Sequence, residues 1–197
     1  MAFVVLDDKI STASCALEQS EFPPCTQRLN CPHLHGFQPR RPSEHLPISD
    51  EFALSLYRKT VTLWELEDHP TCRFEKSPDI LSSTDFRLPP SSPWPWLGTI
   101  IIGIFTVRIP SAARFCEALI LLLCRDYNTR YETYWMALMT YVLEYMDETD
   151  IFDEKDLRDE YRPFYCALKK GEPTVFELLD ELRNNLSSSG HLPQEHT

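Results

Sequence analysis

The sequence predicts a mainly α protein, a compact C-terminal helical bundle preceded by an irregular Pro-rich N-terminal region with a few short strands or helices. Three observations carry this expectation. Apolar residues recur at three- and four-residue spacing beyond residue 110, behind recognisable helix caps. Six prolines between Pro23 and Pro47 stand too close for any long helix. Hydrophobic residues make up 43% of 197, enough for a buried core and too many for a wholly disordered chain.

Taken in order, residues 1–47 form an irregular arm that opens with a short strand ending in acids, Asp7 and Asp8. Residues 48–66 make one helix or strand element: Phe52, Leu56, Lys59 and Leu63 have helical spacing, whereas Thr60 to Leu66 alternates like a strand. Residues 67–95, with Leu88-Pro89-Pro90 and Pro93-Trp94-Pro95-Trp96 at their end, read as a Pro/Ser-rich linker or loop. The core domain spans 96–187, and a disordered tail 188–197 comes after it.

Within the core domain, the β-branched run from Ile100 to Phe105 favours a buried strand. The most apolar stretch, Trp96 to Ile109, carries Arg108, stops at Pro110 and is shorter than the roughly 20 apolar residues a membrane span needs. Ser111 caps a helix to Arg125 whose apolar residues nearly encircle it, so this helix must be central. Thr129-Arg130-Tyr131-Glu132 is a capping box opening a second helix, with Tyr131, Tyr134, Trp135, Leu138, Met139, Val142, Tyr145 and Met146 on one stripe. Asp153 caps a short charged helix to about Tyr161, Pro163 interrupts the chain beyond it, and Gly171 stops a helix after Lys169-Lys170. Thr174 to Glu177 repeats the capping box, with Phe176, Leu179, Leu182 and Leu186 as the last buried face.

Composition narrows the function. The net charge of -11 supplies no diffuse attraction to DNA or an anionic membrane. Glycine occurs 5 times, where average usage gives roughly 14, and no glycine cluster is present to cradle phosphates or form a nucleophile elbow. Between Glu144 and Glu181, thirteen acidic residues face five basic ones. They stand at helix starts and on polar faces, as solvated carboxylates do, with an acidic docking surface as the functional alternative. Nothing reads as an enzyme active site. Seven cysteines, an odd number, and a start without basic residues or a long apolar run imply free thiols in a reducing, cytoplasmic setting.

Cys15, Cys25, Cys31 and His35, spaced Cys-x9-Cys-x5-Cys-x3-His, offer three thiols and an imidazole within 15–35. The spacing resembles the CCCH zinc finger, with a long first spacer and little basic character. That resemblance implies a small zinc module and contact with single-stranded RNA. The bland reading is a flexible arm with free thiols and no cofactor. Phe3 to Asp8, with Val4, Val5 and Leu6 at its centre, resembles a SUMO-interacting segment that adds to a partner's sheet edge, the alternative being an internal edge strand. Trp94 and Trp96 between prolines suit an aromatic anchor for a partner or packing against the helical core.

In size and style the whole chain resembles the non-structural accessory proteins of RNA viruses, tenuivirus-like in particular: glycine-poor, rich in Cys, Trp and Pro, and without enzyme motifs. The resemblance implies a virus-host interaction factor that binds host proteins and antagonises defence, for instance as a suppressor of RNA silencing. A CCCH-type zinc-dependent RNA-binding regulator and a cellular adaptor are the alternatives.

Overall fold

The computed structural model describes residues 2–27, 31, 42–48, 53–66, 78–82, 108–147 and 153–193. The protein is mainly α, with short strands concentrated toward the N-terminus. Residues 1–47, expected to be irregular beyond a first strand, hold β1 (Ala2–Val5), α1 (Ile10–Gln19) and β2 (Glu44–Pro47). The 48–66 element resolves into β3 (Ala53–Arg58) followed by one helical turn, α2 (Lys59–Thr62). Both local readings are reversed: the strand lies where helical spacing was expected, and Thr60 to Thr62, expected to alternate as a strand, fall in the helical turn. β3 is held extended as the central strand of a sheet ordered β1-β3-β2, parallel to β1 and antiparallel to β2.

The sheet has two different faces because neighbouring residues of a strand point to opposite sides. On one side Leu46, Leu54 and Leu56 close with Ile10 of α1 into a small core, to which Phe3, Val5, Ala13 and Leu17 add. Val5 therefore serves the protein's own core. Asp7 is likewise engaged internally, accepting from the Thr60 hydroxyl at 2.6 Å and the Thr60 amide at 3.2 Å. On the other face lie Val4, half exposed, and the buried pair His45 and Ser55.

The ribbon of β4 (Ile80–Ser82) and β5 (Arg108–Pro110) leads into α3 (Ala112–Arg125). Ser111 caps α3 as expected, its Oγ accepting from the Arg114 amide. Buried residues from Ala113 to Arg125 surround α3, which packs against α4 (Glu132–Asp147) and α6 (Val175–Ser188). The helix α5 (Arg162–Lys170) rests on α6 and α4, and one apolar core runs through all four helices. None of the described helices is long and apolar enough to cross a membrane.

Several local expectations need correction. Pro163 does not interrupt a helix but sits in the first turn of α5, where its missing N–H costs nothing. Thr174 makes no side-chain cap bond, and Val175 takes the place expected for Phe176 in the core, leaving Phe176 59% exposed. At α4 the cap is shifted: Thr129 Oγ1 accepts from the Tyr131 amide and Glu132 from the Asn128 amide. Trp135, Met139 and Leu143 form its buried line, while Tyr145 turns outward at 50% exposure. Asp153 and Asp156 do form a capping box, around the single 3-10 turn Glu154–Asp156. Ile100 to Phe105 and the 67–95 linker except 78–82 lie outside the described residues.

The two cores meet through the segment after β3. Trp64 packs against the helical core and donates its indole N–H to the His191 carbonyl at 2.9 Å. The Arg125 guanidinium stands 5.5 Å over the Trp64 ring and donates to the Val61 carbonyl. The same guanidinium holds both oxygens of Asp126, at 2.8 and 2.6 Å, and Asp126 in turn accepts from the Trp135 indole at 2.8 Å. This buried polar knot ties the end of α3, the start of α4 and the chain leaving the sheet.

Candidate metal centre

A strand, a turn and a loop residue converge beside the sheet. His45 is the second residue of β2, and its neighbour Leu46 faces the α1 core, so the imidazole lies on the opposite face. The Cys25 amide donates to the His45 carbonyl at 2.8 Å and fixes the chain after α1 alongside β2. Cys31 returns to the same place, with its Sγ 3.2 Å from His45 Nε2. The ligand atoms of Cys25, Cys31 and His45 all lie within 4.8 Å of one another.

The spacing can be compared with what zinc requires. Zn–S bonds of about 2.3 Å and Zn–N bonds of about 2.0–2.1 Å at tetrahedral angles put a sulfur and a nitrogen about 3.5 Å apart. The Cys31–His45 separation is close to that before any adjustment. Two thiols and an imidazole are also the soft and borderline donors that zinc prefers over magnesium or calcium. Cys31 is 1% exposed and His45 7%, whereas Cys25 is partly open and offers a route in. Burial of Cys31 argues against a nucleophilic thiol–imidazole pair, which must reach a substrate.

Of the four ligands expected from the sequence, three fall among the described residues. Cys25 and Cys31 come together, but the group does not include Cys15, which sits exposed on α1 with its Sγ accepting from Gln19 at 3.6 Å. A helix carries Cys15 on its solvent side because Ile10, Ala13 and Leu17 take the sheet-facing side. His35, and with it Trp94 and Trp96, lie outside the described residues. Sequence reasoning passed over His45 as a loop residue. The available signal was His45-Leu46 followed by the alternation of residues 53–58, which marks a hairpin-like pair with His45 on its polar face.

A second polar cluster lies between the two cores. Glu117 is buried, pairs with Arg114, and accepts the Arg158 amide at 2.7 Å. Burial raises its carboxyl pKa, against the lowering influence of that amide and the two arginines. Arg114 reaches Asp79 at 3.0 Å and the Asp156 carbonyl at 2.8 Å. The cleft between Glu117 and Leu63 to Leu66 has a volume of about 20 Å³, room for a single water rather than a substrate. The cluster is a structural brace. Cys166 beside Glu154, at 3.3 Å, has its thiol pushed up by burial and by that carboxylate, opposite to what a nucleophile needs.

No family model, curated protein or solved structure matches this chain.

Proposed function

We propose that this chain is a zinc-binding, non-enzymatic interaction protein, in which Cys25, Cys31 and His45 hold a structural zinc ion against the N-terminal sheet. The convergence of these three side chains within 4.8 Å is the observation that supports it. The three donors found among the described residues leave one tetrahedral position for water or a further ligand. The metal's role is to fasten the segment after α1 onto β2, where the small apolar core of the sheet gives limited stability alone.

Function by contact rather than catalysis is supported by the one-water cleft, the scarcity of glycine and the large exposed aromatics Tyr141 and Phe176. The partners are proteins, and the role of an RNA-virus accessory factor that disables a host defence component rests on resemblance in size and style. RNA contact through this module has little electrostatic support: Arg28 is the only basic residue from Cys15 to His35, against Glu18 and Glu21.

Metal analysis of the purified full chain tests the reading. The expected result is about one zinc per chain, lost in Cys25→Ser/Cys31→Ser and in His45→Ala and retained in Cys15→Ser. A folded wild type free of zinc after preparation in zinc-containing medium refutes it. Affinity purification with and without nuclease then separates the partner classes: recovery of specific proteins that survives nuclease supports protein contact, and recovery abolished by nuclease overturns it in favour of RNA.

A further inference from the structure

We propose that Cys25 and Cys31 are a reversible redox pair, which closes to a disulfide under peroxide and thereby gives up the zinc ion. The inference rests on the metal reading and adds regulation to it. Two features of the site carry it. The sulfurs of the pair lie within 4.8 Å of each other. Their exposure differs sharply, Cys25 being partly open to solvent and Cys31 1% exposed.

The geometry permits closure without moving the sheet. A disulfide needs its sulfurs about 2.05 Å apart, so the pair has less than about 2.8 Å to close. Passing between staggered rotamers sweeps a cysteine sulfur through about 3 Å, and Cys25 is the one on the open side of the site. Contacts with His45 already hold both cysteines beside β2, through the Cys25 amide and the Cys31 sulfur, so ring closure gives up little further chain entropy.

Exposure also fixes the order of events. Each cysteine enters as the thiolate that metal binding requires. The Cys25 sulfur attacks one peroxide oxygen: an S–O bond forms, the O–O bond breaks, and hydroxide departs as water after taking a solvent proton. Cys25 is then a sulfenic acid, oxidised by the two electrons that reduced the peroxide. Cys31 is shielded from outside reagents but faces this sulfenic acid. Its thiolate attacks the Cys25 sulfur, the S–S bond forms, the S–O bond breaks, and a second hydroxide departs as water with another solvent proton. Two thiolates, one peroxide and two protons thus give one disulfide and two waters.

Ligand count then decides the fate of the metal. The thiolate is the ligand form of cysteine, so once the disulfide has formed His45 is the one donor left of the three. A single imidazole does not retain zinc against solvent, and the segment after α1 loses its metal fastening to β2. Attack by an external dithiol reopens the disulfide and restores both thiolates. In a reducing medium the closed form therefore lasts only while oxidant is supplied, as a switch requires.

Treating the zinc-loaded full chain with hydrogen peroxide beside a chromogenic zinc indicator reads both halves of the proposal. The expected result is release of about one zinc per chain, a Cys25–Cys31 disulfide in peptide mass spectrometry, and zinc rebinding after dithiothreitol. Cys15→Ser should respond as the wild type does. Cys31→Ser, unable to close, should accumulate a sulfenic acid at Cys25 that dimedone traps, whereas Cys25→Ser should leave Cys31 unoxidised. A chain that never carries zinc removes the metal reading and the switch with it. Zinc that stays bound at peroxide doses that oxidise the exposed Cys15 overturns the switch alone. So does release without the Cys25–Cys31 disulfide, a result read on the wild type and independent of how any variant folds.

Discussion

The reactivity of a cysteine is decided by whether its thiolate can exist where it sits, and this chain holds thiols at both extremes. Cys116 and Cys124 point into the core around α3, and burial pushes each thiol up to about 12. Cys15 and Cys25 open toward solvent. Alkylation of the native protein near pH 8 is expected to label Cys15 first, to label Cys25 more slowly when zinc is added, and to leave Cys116 and Cys124 untouched until unfolding. Rapid native labelling of Cys116 or Cys124, mapped by peptide mass spectrometry, contradicts the packing of α3. Glu117 gives a pH-dependent counterpart. Its raised carboxyl pKa means that the folded state binds the proton more tightly than the unfolded chain, so its contribution is fully present below the ordinary Glu value and is lost as pH rises through the folded pKa. Glu117→Gln removes that loss. The melting temperature of the variant relative to wild type should therefore climb as pH increases from about 4 toward neutrality, and a difference flat in pH rules the assignment out. Legibility at this scale was partial. Cys25 and Cys31 stand out in the sequence as candidate ligands, but their imidazole partner is fixed by pairing across a strand, and spacing along the chain cannot report that.

Helix boundaries follow local chemistry, and the local signals were of unequal quality. Ser111 and Gly171 mark α3 and α5 correctly because each supplies something the backbone needs at that point: an acceptor for the Arg114 amide, and a residue able to take φ of 65°. Thr174 carries the same motif as a cap yet adopts helical backbone angles, so its hydroxyl cannot reach the amides ahead. The periodicity of α6 fits two faces one residue apart, starting from Val175 or Phe176, and contact with α5 chooses Val175. The strands were less legible than the helices. β3 has apolar residues at both helical and alternating spacings, and only its two neighbours, β2 from just before it in the chain and β1 from across a long connection, settle the choice. Gly171 offers a clean measurement at this scale. A Cβ there meets nothing within 4 Å, so Gly171→Ala tests backbone strain alone. It should cost about 1 kcal/mol by denaturant unfolding with the m-value unchanged, and a neutral or stabilising result means that α5 ends differently.

For the whole molecule, the question is what makes a sheet with a four-residue apolar core and a four-helix core behave as one body. The sheet module buries Ile10, Leu46, Leu54 and Leu56, too little apolar surface to be stable by itself when fully burying each such side chain is worth about 1.5–3 kcal/mol against the entropy of ordering its residues. It gains from the helical core through the segment that leaves β3. Trp64 enters that core, stacks beneath Arg125 and donates to the His191 carbonyl, while Tyr57 on β3 lies near Tyr134 of α4 and has its hydroxyl pKa raised chiefly by burial. The link joins two points 127 residues apart in the sequence. Trp64→Ala removes both the stack and the hydrogen bond, at a cost of about 3 kcal/mol, and should split a single thermal transition into an early loss of the sheet and a later loss of the helices. Trp64→Phe keeps the ring under Arg125 and gives up only the indole N–H, so its cost should be about 1 kcal/mol with the transition still single. Following sheet and helix separately, by zinc release or cysteine labelling at Cys25 and by far-ultraviolet circular dichroism, distinguishes these outcomes. If the two signals still coincide at the wild-type midpoint in Trp64→Ala, the coupling between the modules does not run through this indole.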